Sequence, residues 1–105
     1  MKYIITESKL HTFISGYLDS EFRGLQRKHM DFGITYFYNS DGELLFHLVE
    51  REKRNLLRLC INRDLISRVS NIFNGQVSLG DILDIIELTI KKYCPDINYD
   101  EVTVG

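Results

Sequence analysis

Phe32-Gly-Ile-Thr-Tyr-Phe-Tyr38 and Leu44-Leu-Phe-His-Leu-Val-Glu50, joined by Asn39-Ser-Asp-Gly-Glu43, form the stretch on which the fold turns. Both runs are rich in aromatic and apolar residues, as strands are. Asp-Gly between two such runs is a strong hairpin signal, because the turn that matches strand twist needs positive φ. Residues 32–50 therefore read as a β-hairpin with apolar side chains on both of its faces.

Working outward toward the C-terminus, the charges of Glu50 to Arg54 make a second turn. Asn55-Leu-Leu-Arg-Leu-Cys-Ile61 follows as a third strand, with Leu57, Leu59 and Ile61 on one face and Leu56, Arg58 and Cys60 on the other. Asn62 caps a short helix whose Leu65, Ile66, Val69, Ile72 and Phe73 repeat at helical spacing, and Asn74-Gly75 supplies a left-handed stop. Ser78-Leu-Gly-Asp81 opens a helix over 79–93 in a capping-box pattern, with Asp in place of the usual Glu or Gln. Leu79, Ile82, Leu83, Ile86, Ile90 and Tyr93 form its apolar stripe, and Ile85 and Leu88 widen it until little polar face remains. Pro95, the only proline, ends that helix after Tyr93. Asn98 to Val104 alternates weakly and reads as a last strand on a sheet edge.

Toward the N-terminus, residues 23–31 carry Arg23, Arg27, Lys28 and His29 without periodicity and read as an exposed, mobile basic connection. Before it, Leu10, Phe13, Ile14, Tyr17, Leu18 and Phe22 mark one face of a helix over 7–22, with Thr6 as its N-cap. Gly16 inside that helix marks a cost or a close approach of another element. The expected fold is a single α+β domain, order α-β-β-β-α-α-β, with an antiparallel sheet and the helices packed on one face.

At 105 residues the chain supports one core and no second domain. Its 44% apolar and 27% charged residues exclude disordered, collagen-like and coiled-coil classes. Two cysteines, Cys60 and Cys94, fall short of a disulfide framework and fit a reducing compartment. No signal peptide is expected, and the stretch from Leu79 to Tyr93 is too interrupted by charge to span a bilayer. The reading is a soluble intracellular protein with no membrane partner.

No constellation of residues announces catalysis. His11, His29 and His47 have neither each other nor a cysteine at metal-ligand spacing, no glycine-rich phosphate loop is present, and no cofactor or metal is expected. Asp81, Asp84 and Glu87 recur every third residue and read as the solvent stripe of the last helix. An enzyme would need His47 to converge with Cys60 or Glu87 on a pocket.

Charge is the more informative feature. Residues 21–70 hold nine Lys/Arg against seven Asp/Glu, and residues 71–105 hold two against six, so a net charge of −2 conceals a basic middle and an acidic C-terminal third. Arg23, Arg27 and Lys28 form one basic cluster, and Arg51, Lys53, Arg54 and Arg58 another. If the hairpin's open end lies near the end of the first helix, the two meet as one patch beside Tyr36, Phe37 and Tyr38, suited to stacking bases and neutralising phosphates. Interleaved Glu21, Asp31, Glu50 and Glu52 favour solvated charges or the rim of a protein contact instead.

Met1-Lys-Tyr-Ile-Ile-Thr-Glu-Ser-Lys-Leu10, followed by Tyr17-Leu-Asp19 and Phe22-Arg-Gly-Leu25, resembles the start of small proteins of unassigned function from large tailed bacteriophages. The likeness extends in pattern to the hairpin, to Asp64-Leu-Ile-Ser-Arg-Val-Ser-Asn-Ile-Phe73 and to the acidic last helix. It implies an accessory protein of the host cytoplasm or the virion, and carries over no catalytic residue. The expected function is a non-enzymatic protein-protein interaction module, with a protein partner or self-association. The alternative is a nucleic-acid-associated regulator using residues 23–28 and 51–58.

Overall fold

In the computed structural model, which describes residues 7–30, 33–51 and 56–105, the 39–43 connection folds as the hairpin signal requires. Gly42 has φ of +84°. The buried Asn39 accepts the backbone N–H groups of Asp41 at 3.0 Å and Glu43 at 2.8 Å on its side-chain oxygen, closing the turn.

The elements are α1 (Glu7–Phe22), β1 (Gln26–Met30), β2 (Ile34–Tyr38), β3 (Leu44–Arg51), β4 (Leu56–Ile61), α2 (Arg63–Ile72), α3 (Leu79–Tyr93) and β5 (Glu101–Val104). The expected elements occur in the expected order, with one strand more. That strand is β1, where a loose basic connection was expected. It pairs antiparallel with β2 through its backbone, while all five of its side chains stay exposed. Thr6, Asp31, Phe32 and residues 52–55, which entered the sequence reading as a cap, strand and turn, lie outside the described residues.

The sheet runs β1-β2-β3-β4-β5 in space. Its first four strands are an antiparallel meander, but β5 lies parallel to β4, so the sheet is mixed rather than antiparallel throughout. Connectivity explains the difference. Between β4 and β5 the chain passes through two helices, a crossover long enough to return it in the same direction.

A bulge sets which side of β3 is buried. Phe37 pairs with Phe46 but Tyr38 pairs with Leu44, so Leu45 is the extra residue. Alternation alone would place Leu45 beside His47; the bulge instead lets Leu45 and Phe46, adjacent in sequence, both enter the core at 0% exposure. Phe46 stacks on Phe37 at 4.4 Å and on Phe22 of α1 at 5.7 Å between ring centroids. Ile14 and Leu18 of α1, Leu65 and Val69 of α2, and Ile82, Ile86 and Ile90 of α3 complete one core with Leu59 and Ile61. All three helices thus cover the same face of the sheet.

Helix ends follow their sequence signals. Asn62 accepts from the Asp64 N–H and Ser78 from the Asp81 N–H, satisfying donors of the first turn. Asn74 and Gly75 both adopt positive φ after α2. The stripe of α3 is narrower than expected: Ile82, Ile85, Ile86, Thr89 and Ile90 are buried, whereas Leu79 and Leu88 are each more than half exposed. Gly16 faces open space, so no element approaches it.

Candidate functional site

Alternation along each strand sends one set of side chains into the core and the other to the opposite face. Register places Lys28, Tyr36, His47, Cys60 and Thr103 in one row across β1 to β5, and Met30, Ile34, Val49, Arg58 and Glu101 in the next. Tyr36 contacts His47 at 5.5 Å and Tyr38 at 6.3 Å between ring centroids, confirming that these rings share a face. None of the apolar side chains here belongs to the core that the helices build. Ile34, Tyr36, Tyr38, Val49 and Leu56 are half-buried, and Met30 at the edge is 41% exposed. Among the described residues, this face of the sheet is uncovered.

Its electrostatics are simple. Arg58 donates to Glu101 from Nε at 3.1 Å and from Nη2 at 3.0 Å, both bonds landing on Oε2. Lys28 stands at the β1 edge. Burial among its neighbours pushes the His47 imidazole below its ordinary pKa, favouring the neutral ring.

Among the described side chains of the two basic clusters, Lys28 on β1 and Arg58 on β4 are separated by β2 and β3. The end of α1 lies at the closed end of the β2–β3 hairpin, where a side chain on Gly24 would come 3.3 Å from Ser40. Arg51 and Leu56 pair at the opposite end of the sheet, five residue pairs beyond Phe46 and Ile61 in register. Lys53 and Arg54 lie outside the described residues, as does the Arg51 side chain. The clusters are also divided between faces. Lys28 and Arg58 belong to the uncovered face, whereas Arg27 points to the helical side, over the Phe37 ring at 5.0 Å and bidentate to Asp96 at 2.9 and 3.2 Å. That pairing holds the Asp96 carboxyl below its usual range. Arg23 is exposed beside α1. Acidic residues of the C-terminal third therefore partner basic residues of the middle: Asp96 with Arg27, and Glu101 with Arg58.

Of the groups an enzyme would need, the structure brings His47 and Cys60 together and places Glu87 apart from them. His47 and Cys60 are direct cross-strand neighbours on the uncovered face. Glu87 is on the helical side, where it accepts the Tyr99 hydroxyl at 2.8 Å, so it is not simply part of a solvent stripe. Cys94 is buried, which raises its thiol pKa, and Cys60 and Cys94 are free thiols.

Several cavities among the described residues lie on the helical side. A groove of about 520 Å³ between α1 and α3 has Leu10, Ile14, Ile85 and Leu88 along it and Asp81, Asp84 and His11 around it. Hollows of about 440 Å³ and 280 Å³ flank Arg27. Neither His47 nor Cys60 lines any of these. Among the described residues no three His, Cys, Asp or Glu side chains are grouped to hold a metal ion, and no helix is long and apolar enough to cross a membrane. Comparison with family models, curated proteins and solved structures returns no match to this chain.

Proposed function

We propose that this chain is a non-enzymatic protein-protein interaction module that works through the uncovered face of its sheet. The observation that carries this reading is the set Met30, Ile34, Tyr36, Tyr38, Val49 and Leu56, apolar or amphipathic side chains on one face outside the core. Contiguous apolar surface of this kind marks interfaces, and tyrosine serves there because its ring is large and its tip polar. Beside the resemblance of the N-terminal residues to tailed-phage proteins, this makes the chain an accessory protein of infection or a component of the particle. Mass measurement in solution together with affinity capture tests it. Tyr36→Glu combined with Val49→Glu should abolish association, whereas Leu79→Glu, on an exposed helix position away from the sheet, should preserve it. A chain that stays monomeric at high concentration and captures no partner would sink this reading.

A second reading, a nucleic-acid-associated regulator, draws support from the Tyr36, Tyr38 and His47 rings, which share their face with Lys28 and Arg58. Stacked bases and a neutralised backbone need that combination. Absence of binding to a single-stranded oligonucleotide at about 50 mM salt removes it.

A further inference from the structure

We infer that the partner on this face is a second copy of the chain, stacked face to face about a twofold axis that runs along the strands through β3. The inference rests on the uncovered face being the working surface.

Strand order makes β3 the middle of five, so the face is laid out evenly about His47 and Val49. Tyr36 and Cys60 flank His47, and Ile34 and Arg58 flank Val49. A copy turned over about β3 sets β3 on β3, β2 on β4 and β1 on β5, giving the fullest overlap of the two faces.

Charge selects this arrangement over its competitor. The two edges of the face carry opposite signs, Lys28 on β1 and Glu101 on β5. With the axis along the strands, Lys28 of each copy lies over β5 of the other, one row from Glu101. Both Arg58 bonds fall on the Glu101 Oε2, so Oε1 takes no part in that pairing. With the axis across the strands, β1 would lie on β1 and β5 on β5, opposing like charges that disfavour a contact. Edge-to-edge pairing of β1 with β1 meets a similar obstacle, since Arg27, Lys28 and His29 would line both partners.

Size sets the expected strength. Five strands about 4.8 Å apart and about five residues long give a projected face of about 400 Å². Two such faces with side-chain relief bury about 1,000 Å², the lower end for a specific interface. The association is therefore weak and concentration-dependent rather than permanent.

Sedimentation equilibrium of the full chain over about 1 to 300 µM reads the outcome. The apparent mass should rise from 12.3 kDa toward twice that value, and Lys28→Glu, which sets an acid against Glu101, should weaken association about tenfold or more. His47→Cys in a Cys60→Ser background should form a disulfide-linked dimer on mild oxidation, because position 47 faces itself across the axis. Ser67→Cys in the same background, on the exposed side of α2, should not. Far-UV circular dichroism establishes that each variant is folded before it is scored. A chain monomeric throughout the range overturns the inference, as does a dimer crosslinked as readily through position 67 or unaffected by Lys28→Glu. A monomer that instead captures another protein, lost in Tyr36→Glu/Val49→Glu, overturns the second copy and leaves the interaction-module reading in place. A monomer that binds single-stranded oligonucleotide through this face overturns both.

Discussion

The Arg68 guanidinium stands 3.1 Å from the Glu21 carboxylate, tying α2 to the last turn of α1. The same nitrogen reaches Glu43 at 2.7 Å, and Glu21 also accepts the Tyr17 hydroxyl at 2.9 Å and the Asn39 amide at 3.0 Å. Two helices and the β2–β3 turn are thus joined by one cation. Of the three charged groups, Glu21 is the most buried, its side chain only 14% exposed.

Removing the cation leaves two carboxylates facing each other with one of them poorly hydrated. Arg68→Met should cost about 1–3 kcal/mol, less than for a fully buried pair because Arg68 itself is partly exposed. Adding Glu21→Gln should recover part of that loss. Urea unfolding of the two single variants and the double variant measures the coupling.

The β3 bulge makes a sharp prediction about neighbouring positions. Leu45→Lys places a charge in the core and should cost more than about 4 kcal/mol, enough to abolish cooperative thermal unfolding. His47→Lys, two residues on, should stay within about 1 kcal/mol of the parent. Similar melting of the two variants would show that Leu45 is not the bulged residue.

Two glycines should respond to alanine in opposite directions. Gly33 has φ of +71°, and a Cβ there would lie 3.2 Å from the Glu50 carbonyl oxygen, so Gly33→Ala should cost about 1–2 kcal/mol. Gly16 sits in α1 with open space around it, and Gly16→Ala should add about 0.5–1 kcal/mol. Thermal melts of the two variants should shift to opposite sides of the parent.

Stability should fall with acid in two separate windows. Because burial lowers the folded pKa of His47, the unfolded chain binds more protons below the ordinary value of 6.5. That contribution is full above 6.5 and declines as pH falls from there to the lowered folded pKa. Lys92 and Arg27 hold the Asp19 and Asp96 carboxyls low, so their contribution persists above the ordinary 3.8 and is lost as pH falls through the lowered folded values. Urea midpoints from pH 3 to 8 at low protein concentration should show both declines. His47→Gln should lack the upper one, and Asp19→Asn/Asp96→Asn most of the lower.

Much of the fold was legible because burial writes itself into spacing. Leu57, Leu59 and Ile61 alternate, and Ile82, Ile86 and Ile90 keep helical phase, so β4 and α3 could be drawn to within a residue. β1 left no such trace. Gln26 to Met30 is held by backbone bonds to β2 while all five residues stay exposed, and a strand without a buried face has no hydrophobic period to detect. The direction of β5 was hidden because weak alternation over residues 98–104 says nothing about which neighbour it joins. The candidate site was half legible. Apolar residues of both parities in the hairpin, Tyr36 and Val49 as well as Phe37 and Leu48, indicated two apolar faces, but only packing decides which the helices cover. The distance of Arg23 from Arg58 was beyond reach for a similar reason, since it depends on Gly24 meeting Ser40 at the closed end of the hairpin.

The parallel seam between β4 and β5 imposes a timetable on the chain. Strands β1 to β4 can zip together through successive turns, whereas the bonds from Leu57 to Asp100 and from Arg58 to Glu101 span 43 residues and wait for both intervening helices to settle. β5 should dock after the rest of the sheet and detach before it. Backbone amides of residues 101–104 should then exchange with solvent sooner than those of β3, leaving a four-stranded intermediate with its β4 edge briefly unguarded.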